Sequence, residues 1–459
     1  MFENILGQGA TGQLMADIEA GKLSPAMLFS GPPASGKGTA ALELGRIISC
    51  ESVGVRAAWN CLCPACARHR SLTHPDMLCL GWKLFSAEIS AAAAAFLREK
   101  PDSGKAEKSG EEELSVNEAD ARRIVHSPAY MLFIRSVRKL LARFNPVLWE
   151  DDPKAGKVSS LVLSLEEDLD ELEQAQREGM GDKLAADILK GSRKLESEAV
   201  SENVPIAHLR RAAWWSRLAP TGKGKLLVIE NSERMQEEGR NSLLKLLEEP
   251  PGNLTVVLTS PRPGSLLPTM LSRLRPYRFI TRDEAAENEV IRRVFRDGKQ
   301  GIKIGDYLDS FLPVSLETLT NLAAFFAASA AYKAVLLSKK RGVPVPNEVI
   351  LLGKYCAPRA ESAGFGRPCA DGGSVISLIL EKTEKFEIRS LFSRFLHCLL
   401  DEVSISLRES SSFLPPDAYY ELWKKSITWA ENSSGTYNLR PAQVLEKLFI
   451  DISRGMAEL

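Results

Sequence analysis

A glycine-bearing loop between an apolar run and a helical pattern is the feature that most constrains the fold of this chain. The loop occupies residues 31–39 (GPPASGKGT) and follows the apolar run 26–30. The order of strand, loop and helix is the context in which such a motif binds phosphate. Gly31 and Gly36 permit turns that point backbone N–H groups inward, and Lys37 adds a positive charge for the outer phosphates. The sequence therefore predicts a nucleotide-binding loop that takes ATP or ADP.

One position of the loop departs from the usual pattern. A Ser or Thr normally follows the lysine and ligates Mg²⁺, whereas this chain has Gly38 there and carries its hydroxyl at Thr39. We therefore expect nucleotide to bind without the ordinary Mg²⁺ geometry.

Two later strands end in polar residues that bear on the same chemistry. The run 225–229 ends in Glu230 and Asn231, where a phosphate-loop ATPase has an Asp for Mg²⁺ and then a Glu that polarises water. Glu230 can still reach a metal through its extra methylene, but Asn231 is neutral and cannot act as a base. The run 254–258 ends in a Thr-Ser pair, where a hydroxyl can sense a γ-phosphate. The predicted cofactor-binding residues are Gly31, Gly36, Lys37, Gly38, Thr39, Glu230 and Ser260.

Four of the eight cysteines form a cluster directly after the predicted helix of the loop. They are Cys50, Cys61, Cys63 and Cys66. Four thiolates this close in sequence can converge on Zn²⁺, although incidental buried thiols are the alternative. His69 and His74 lie near enough to be considered as ligands, but four thiols already complete a tetrahedral set.

Length and charge set the outer limits. A chain of 459 residues is too long for one ordinary core, so two to four domains are expected. Fifty-nine basic residues balance fifty-nine acidic ones, so net charge favours neither a nucleic-acid partner nor its absence. The sequence shows neither a signal-peptide pattern nor an apolar run near the roughly 20 residues that span a bilayer. We expect a cytoplasmic protein with no membrane partner.

A long insertion, at about 84–200, interrupts the alternation of strands and helices that otherwise predicts a parallel sheet. Its tract 100–113 is charged and predicted to be unstructured. Two amphipathic helices are predicted after it, the second of them acidic over 161–172. The first has a basic face with Arg135, Arg138, Lys139 and Arg143. That face either contacts DNA or pairs with the acidic helix, and we expect the insertion to project as a helical hairpin.

Taken together, these motifs resemble the bacterial DNA polymerase III clamp loader, an AAA+ family. The resemblance covers about 1–82 and 203–282. It rests on the phosphate loop and the cysteines placed after it, together with segments 5–8, 74–76, 241–251, 272–273 and, more weakly, 437–446.

The resemblance implies a three-part architecture. An α/β P-loop AAA+ domain with a parallel sheet would occupy 1–282 and contain the cysteine module 50–66 as well as the insertion. An all-α lid at 283–345 and an all-α collar at 346–459 would follow. In this family the collar holds five subunits in a hetero-oligomeric ring, which opens a sliding clamp and loads it on primed DNA. The implied partners are the other ring subunits, the clamp and, through the complex, primed DNA.

The resemblance also implies a role for Arg273. In such rings the arginine of a Ser-Arg-Cys motif reaches into the ATP site of the neighbouring subunit, and Arg273 occupies that place with Leu274 where cysteine is usual. An arginine finger stabilises the charge of the transferring phosphoryl group. The alternative is that Arg273 simply pairs with a carboxylate.

The departures at Gly38, Glu230 and Asn231 distinguish the ring subunits. They make the chain resemble the delta-prime members of the family, whose own ATPase is defective, so efficient hydrolysis by this chain alone is not expected. Three alternatives remain: an active gamma- or tau-like ATPase that uses Glu230, a nucleoside monophosphate kinase, and a scaffold that binds no nucleotide.

Overall fold

The fold is described from a computed structural model. The described residues are 2–52, 57–58, 60–98, 127–150, 152–177, 181–201, 203–386, 389–409, 417–435 and 439–459. The tract 100–113, which is predicted to be unstructured, lies outside them. So do residues 437–438, the first two of the segment 437–446 that carries the weaker part of the resemblance. The chain divides into two compact units, Met1–Leu308 and Asp309–Leu459.

A parallel sheet forms the centre of the first unit. Its strands within the described residues are β1 Ala26–Ser30, β2 Met77–Gly81, β3 Lys225–Glu230, β4 Leu254–Ser260 and β5 Arg275–Arg278. They lie in the order β2-β3-β4-β1-β5, and every pair is parallel. Strands β1 and β3 are buried at all but their last residue, as expected for strands covered on both faces. The predicted α/β fold with a parallel sheet is confirmed.

Helices cover both faces of this sheet and form the insertion. They are α1 Gly9–Glu19, α2 Lys37–Ser49, α3 Pro64–Ser71, α4 Phe85–Arg98, α5 Pro128–Leu141, α6 Pro146–Trp149, α7 Ala155–Arg177, α8 Gly181–Ala199, α9 Ile206–Trp215, α10 Glu237–Glu248, α11 Pro268–Leu271, α12 Glu284–Val294 and α13 Ile304–Asp309. Alternate residues of β1 point to opposite faces. Met27 and Phe29 therefore join the core under α2, while Leu28 joins the core under α9 and α10.

The insertion builds a core of its own from α4, α5, α7 and α8. The carboxylate of Glu196 in α8 accepts the backbone N–H groups of Phe85 and Ser86 at the start of α4, at 2.8 and 2.9 Å. This contact satisfies N–H groups that the first turn of a helix leaves free. The inserted helices thus share one core, and Glu196 joins the end of the insertion to its beginning. The insertion is a bundle of helices α4, α5, α7 and α8 and not the expected helical hairpin.

The basic residues of α5 have several different partners. Arg138 approaches Asp170 of the acidic helix α7, with 3.9 Å between Nη2 and Oδ1. Lys139 instead pairs with Glu88 of α4, and Arg135 donates to a backbone carbonyl of α3 at 2.7 Å. Pairing with the acidic helix is confirmed for Arg138 alone among these three.

The second unit is helical in its described residues. Its helices are α14 Leu316–Arg341, α15 Asn347–Ser362, α16 Gly372–Lys382, α17 Arg389–Glu409, α18 Asp417–Gly435 and α19 Pro441–Met456. Helix α14 packs against α15, α16, α17 and α19. By length and composition α14 alone, among the described helices, could cross a membrane, but 67% of its most apolar window is buried inside the unit. That burial is typical of a core helix. The predicted boundary at 345 falls between α14 and α15, and the lid and collar remain predictions.

We expect Glu196→Ala to loosen the insertion, because the buried N–H groups of Phe85 and Ser86 would lose their acceptor. The free energy of unfolding should fall by about 1–2 kcal/mol, measured by urea denaturation. Glu166→Ala on the exposed face of α7 is the matched control. An unchanged midpoint for Glu196→Ala would show that this carboxylate does not hold the helices together.

Candidate functional site: a phosphate loop beside a thiol cluster

The predicted phosphate loop lies at the carboxyl end of β1 and leads into α2, which begins at Lys37. Gly36 caps this helix in the left-handed region with φ 96°, and Gly31 has φ 144°. A Cβ at Gly31 would overlap the carbonyl oxygen of Phe279. Both glycines are therefore required by the backbone, and the strand–loop–helix prediction is confirmed.

The ammonium group of Lys37 lies inside the loop. Its Nζ donates to the carbonyl oxygens of Gly31 at 2.7 Å and Pro32 at 2.5 Å. The residue is 7% exposed. Burial lowers the pKa of Lys37 to about 8, although Glu233 and Glu230 favour its charged form. Lys37 thus holds a cation where the outer phosphates of a nucleotide would bind.

Arg282, which no sequence motif marks, reaches the same loop from the segment after β5. Its guanidinium donates to the carbonyl oxygens of Ala34 at 2.8 Å and Ser35 at 3.0 Å. Its Nε donates to Leu6 at 2.9 Å. These contacts fix the shape of the loop from outside and join it to the N-terminal segment.

The carboxylate of Glu230 fills the space beside Gly38. A Cβ at position 38 would overlap the Oε1 atom of Glu230, so a Ser or Thr after the lysine would have to displace the Glu230 carboxylate from its present position. Thr39, which carries the nearest hydroxyl in sequence, lies one residue further along α2 and is exposed.

Arg143, from the short 3₁₀ turn after α5, holds the Glu230 carboxylate. The two side chains form an ion pair in which Arg143 is 9% and Glu230 16% exposed. The Nε of Arg143 also donates to the carbonyl oxygen of Gly81, at the end of β2, at 3.0 Å. The residues here do not fit a Mg²⁺ ion, because the carboxylate is already engaged and the hydroxyl ligand is missing.

Asn231 and Ser260 are engaged by neighbouring groups. The side-chain nitrogen of Asn231 donates to the carbonyl oxygen of Trp82 at 2.8 Å. Ser260 is fully buried and donates to a carboxylate oxygen of Glu233 at 2.8 Å. The hydroxyl predicted to sense a γ-phosphate is therefore bonded to an acid that sequence reasoning missed. Glu233 follows β3 by three residues, and no motif distinguishes it.

The four predicted zinc ligands converge. Their Sγ atoms all lie within 4.8 Å of one another. A tetrahedral site with Zn–S distances of about 2.3 Å places its sulfurs about 3.8 Å apart, and the Cys50 and Cys61 sulfurs are 3.8 Å apart. The donor set therefore fits Zn²⁺. Among the described residues, this candidate metal group consists of the four thiols and includes neither histidine.

Hydrogen bonds around the sulfurs favour thiolates at some positions. Burial raises the pKa of Cys50, but hydrogen bonds led by that of the Ser52 backbone outweigh it and lower the pKa overall. The Ser52 hydroxyl lowers the pKa of Cys61. Burial raises the pKa of Cys66. The Nη1 of Arg46 donates to the Cys66 sulfur at 3.3 Å, which opposes this rise in pKa. Thiolates are the form that binds zinc.

The His74-Pro75-Asp76 segment has a structural role. The carboxylate of Asp76 accepts the backbone N–H groups of Thr221 and Gly222 at 2.9 and 2.8 Å, which anchors the turn before β3. His74 stacks on His69 with ring centroids 4.2 Å apart. Burial lowers the pKa of His69 to about 3, so this histidine is neutral at physiological pH.

Arg273 follows α11 and is half-exposed. Its Nη2 lies 2.6 Å from Oε1 of Glu248, with side-chain exposures of 32% and 47%, and its Nη1 donates to the carbonyl oxygen of Thr269 at 2.5 Å. A surface ion pair of this kind contributes only about 0–1 kcal/mol. Arg273 can therefore exchange Glu248 for another anion at little cost, and its role as a finger remains a prediction.

Two sequence comparisons match this chain to subunits of DNA polymerase III. A family model described as DNA polymerase III, delta subunit, matches residues 194–283. A protein of Pseudomonas aeruginosa named DNA polymerase III subunit delta' is 35% identical over 80 residues, which are 17% of this chain and 24% of that protein. The crystal structure of a DNA polymerase III, gamma subunit-related protein from Thermotoga maritima covers 60% of this chain and 90% of that one at 18% identity. Its TM-score of 0.20 is too low to carry an argument about the fold.

The sheet and its loop place the first unit in the α/β class with a parallel sheet, and a helical unit follows it in the chain. Within that class, the matched segment 194–283, which begins inside α8 and ends just beyond β5, is similar to subunits of bacterial DNA polymerase III. The predicted resemblance to subunits of bacterial DNA polymerase III is confirmed over this segment, and the chain spans about a quarter of the curated relative that it matches.

We expect Gly38→Ala to destabilise the chain by about 1–2 kcal/mol, because its Cβ would displace the Glu230 carboxylate and weaken its charged hydrogen bond with Arg143. In a Glu230→Asp background the same change should cost less, with a coupling of about 1 kcal/mol by urea denaturation. Gly12→Ala in α1 is the matched control, since a Cβ there meets nothing within 4 Å. Equal penalties in both backgrounds would contradict the packing at Gly38.

Proposed function

We propose that this chain is a delta-prime-like subunit of the bacterial DNA polymerase III clamp loader. In this proposal it joins other subunits in a heteropentameric ring that opens the sliding clamp and loads it on primed DNA. It is a cytoplasmic component of the polymerase holoenzyme and hydrolyses ATP poorly by itself. The observation that carries the proposal is the contact between Gly38 and Glu230.

That contact disables metal-dependent hydrolysis at two positions together. Gly38 has no hydroxyl, the Glu230 carboxylate occupies the space beside it, and that carboxylate is bound by Arg143. Asn231, where a catalytic base is needed, donates to a backbone carbonyl and cannot accept a proton from water. The loop around Lys37 keeps its turns, which supports retained binding of ATP or ADP with little or no turnover.

A subunit whose own site hydrolyses little ATP can still contribute to catalysis in the adjacent subunit. Arg273 is half-exposed and held by a surface ion pair with Glu248, so it can turn to a phosphate of an adjacent subunit. An arginine supplied in trans contributes about 10³–10⁵ to the rate in related phosphoryl transfers. The helical unit after residue 308 would supply the ring contacts. In this proposal it contains the collar (346–459) and part of the lid (283–345).

Zinc would have a structural role in this proposal. Cys50 directly follows the last residue of α2, and Cys63 caps α3 by accepting the N–H of Cys66 at 3.5 Å. A Zn²⁺ held by the four thiolates would fix the connection between these two helices and supply no chemistry to the phosphate loop.

Arg273→Ala should leave ring assembly intact and lower the DNA-stimulated ATPase of the assembled ring by about 10³-fold at the neighbouring site. The steady-state ATPase of the reconstituted ring measures this. Arg275→Ala, on an exposed arginine two residues away, is the control and should change little. Full activity of the Arg273→Ala ring would refute the finger assignment.

The second candidate function is an active gamma- or tau-like ATPase. One observation favours it: the Glu233 carboxylate lies near Lys37 and is oriented by Ser260, so an acid is present even though Asn231 is not one. Brisk ATP turnover by the isolated chain, lost in both Lys37→Ala and Glu233→Gln, would select this candidate over the delta-prime-like one.

The purified chain should contain about one Zn²⁺ equivalent, and Cys61→Ser and Cys63→Ser should each lose most of it. Elemental analysis by mass spectrometry measures the content, and the melting temperature should fall in parallel. Cys369→Ser, outside the cluster and partly exposed, should keep both values. Equal metal content in all four proteins would exclude the thiol cluster as the zinc site.

A further inference from the structure

We propose that the guanidinium of Arg143 takes the place of the divalent cation at the phosphate loop, so that this chain binds ADP and ATP without Mg²⁺. The inference rests on the proposed nucleotide binding at Lys37 and adds what neutralises the phosphates there. It begins from the misfit described above, in which the residues at the metal position suit an arginine and not a metal ion.

The charges at the loop require a second cation. Bound phosphates would face Lys37 on one side, but the Glu230 carboxylate lies against Gly38, the next residue of α2. An unpaired carboxylate there would repel phosphate. Arg143 cancels that charge, as Mg²⁺ does when it is held by a strand-end aspartate.

The fold holds Arg143 in place before any ligand arrives. Its Nε donates to Gly81, and its guanidinium carbon lies 5.3 Å from the centre of the Phe85 ring. Its backbone carbonyl accepts the indole N–H of Trp149 at 2.9 Å. A guanidinium has five N–H donors in a planar fork and can serve a carboxylate and a phosphate together.

Two lysines add to the positive charge at the same place. Lys83 and Lys139 share the carboxylate of Glu88 and line a small cavity with Gly38, Arg143 and Glu230. When Lys37 and Glu233 are included, four cations face three carboxylates, which leaves one net positive charge at the loop. That surplus suits a polyphosphate and not a second metal ion.

Nucleotide affinity with and without metal separates this role from a purely structural one. The full-length wild-type chain is titrated with a fluorescent ADP analogue and with ATP, in Mg²⁺ and in EDTA. The dissociation constants should agree within about twofold, because a built-in cation needs no exchangeable one. Lys37→Ala should abolish binding in both buffers, which locates the site at the loop.

Arg143→Ala should weaken ADP binding in EDTA by about 10- to 100-fold, as expected for a lost charge-assisted contact. Mg²⁺ should restore part of the affinity, because the freed Glu230 carboxylate can then ligate it. Arg138→Ala, on the neighbouring helix α5 but directed toward Asp170, is the matched control and should bind as wild type. If Arg143→Ala does not fold, Arg143→Lys replaces it, with an expected intermediate affinity.

The outcomes are distinct. Wild-type binding that needs Mg²⁺ overturns this inference and leaves nucleotide binding standing. Absence of binding in both buffers overturns nucleotide binding and this inference with it. Unchanged metal-free affinity of the folded Arg143 variant shows that Arg143 only anchors the insertion.

Discussion

A half-buried carboxylate at the end of a strand is stabilised by a cationic partner, and the pairing of Glu230 joins the insertion to the sheet. The partner is Arg143, 87 residues earlier in the chain, and its position depends on the core that α4 and α5 share. The insertion is thus an integral part of the first unit. It supplies Arg143, whose positive charge pairs with Glu230 at the end of β3.

The helix α2 connects the two candidate sites. It begins at Lys37 in the loop and ends one residue before Cys50. Near its end, Arg46 pairs with Glu43 and donates to the Cys66 sulfur. The phosphate loop and the thiol cluster therefore lie at opposite ends of one helix of 13 residues, about 20 Å long at the usual rise. A movement of this helix would therefore change the positions of residues at both sites.

Local patterns predicted more of this molecule than charge patterns did. The strand–loop–helix order around Lys37 and the closely spaced cysteines depend on residues that are neighbours in sequence, so their geometry followed from it. Arg143 and Arg282 reach the loop across long stretches of chain, and nothing near them in sequence indicates a partner. The basic face of α5 was recognised, but its contacts depend on which helices pack against it. The sequence shows which charged residues a helix carries, but it does not show which neighbouring helices those residues contact.

The overlap between position 38 and Glu230 has an evolutionary consequence. A serine at 38 would displace the Glu230 carboxylate from its present position, and a shorter acid at 230 would draw away from Arg143. A replacement at one of these three positions therefore changes the surroundings of the other two, so we expect residues 38, 143 and 230 to vary together among descendants of this protein.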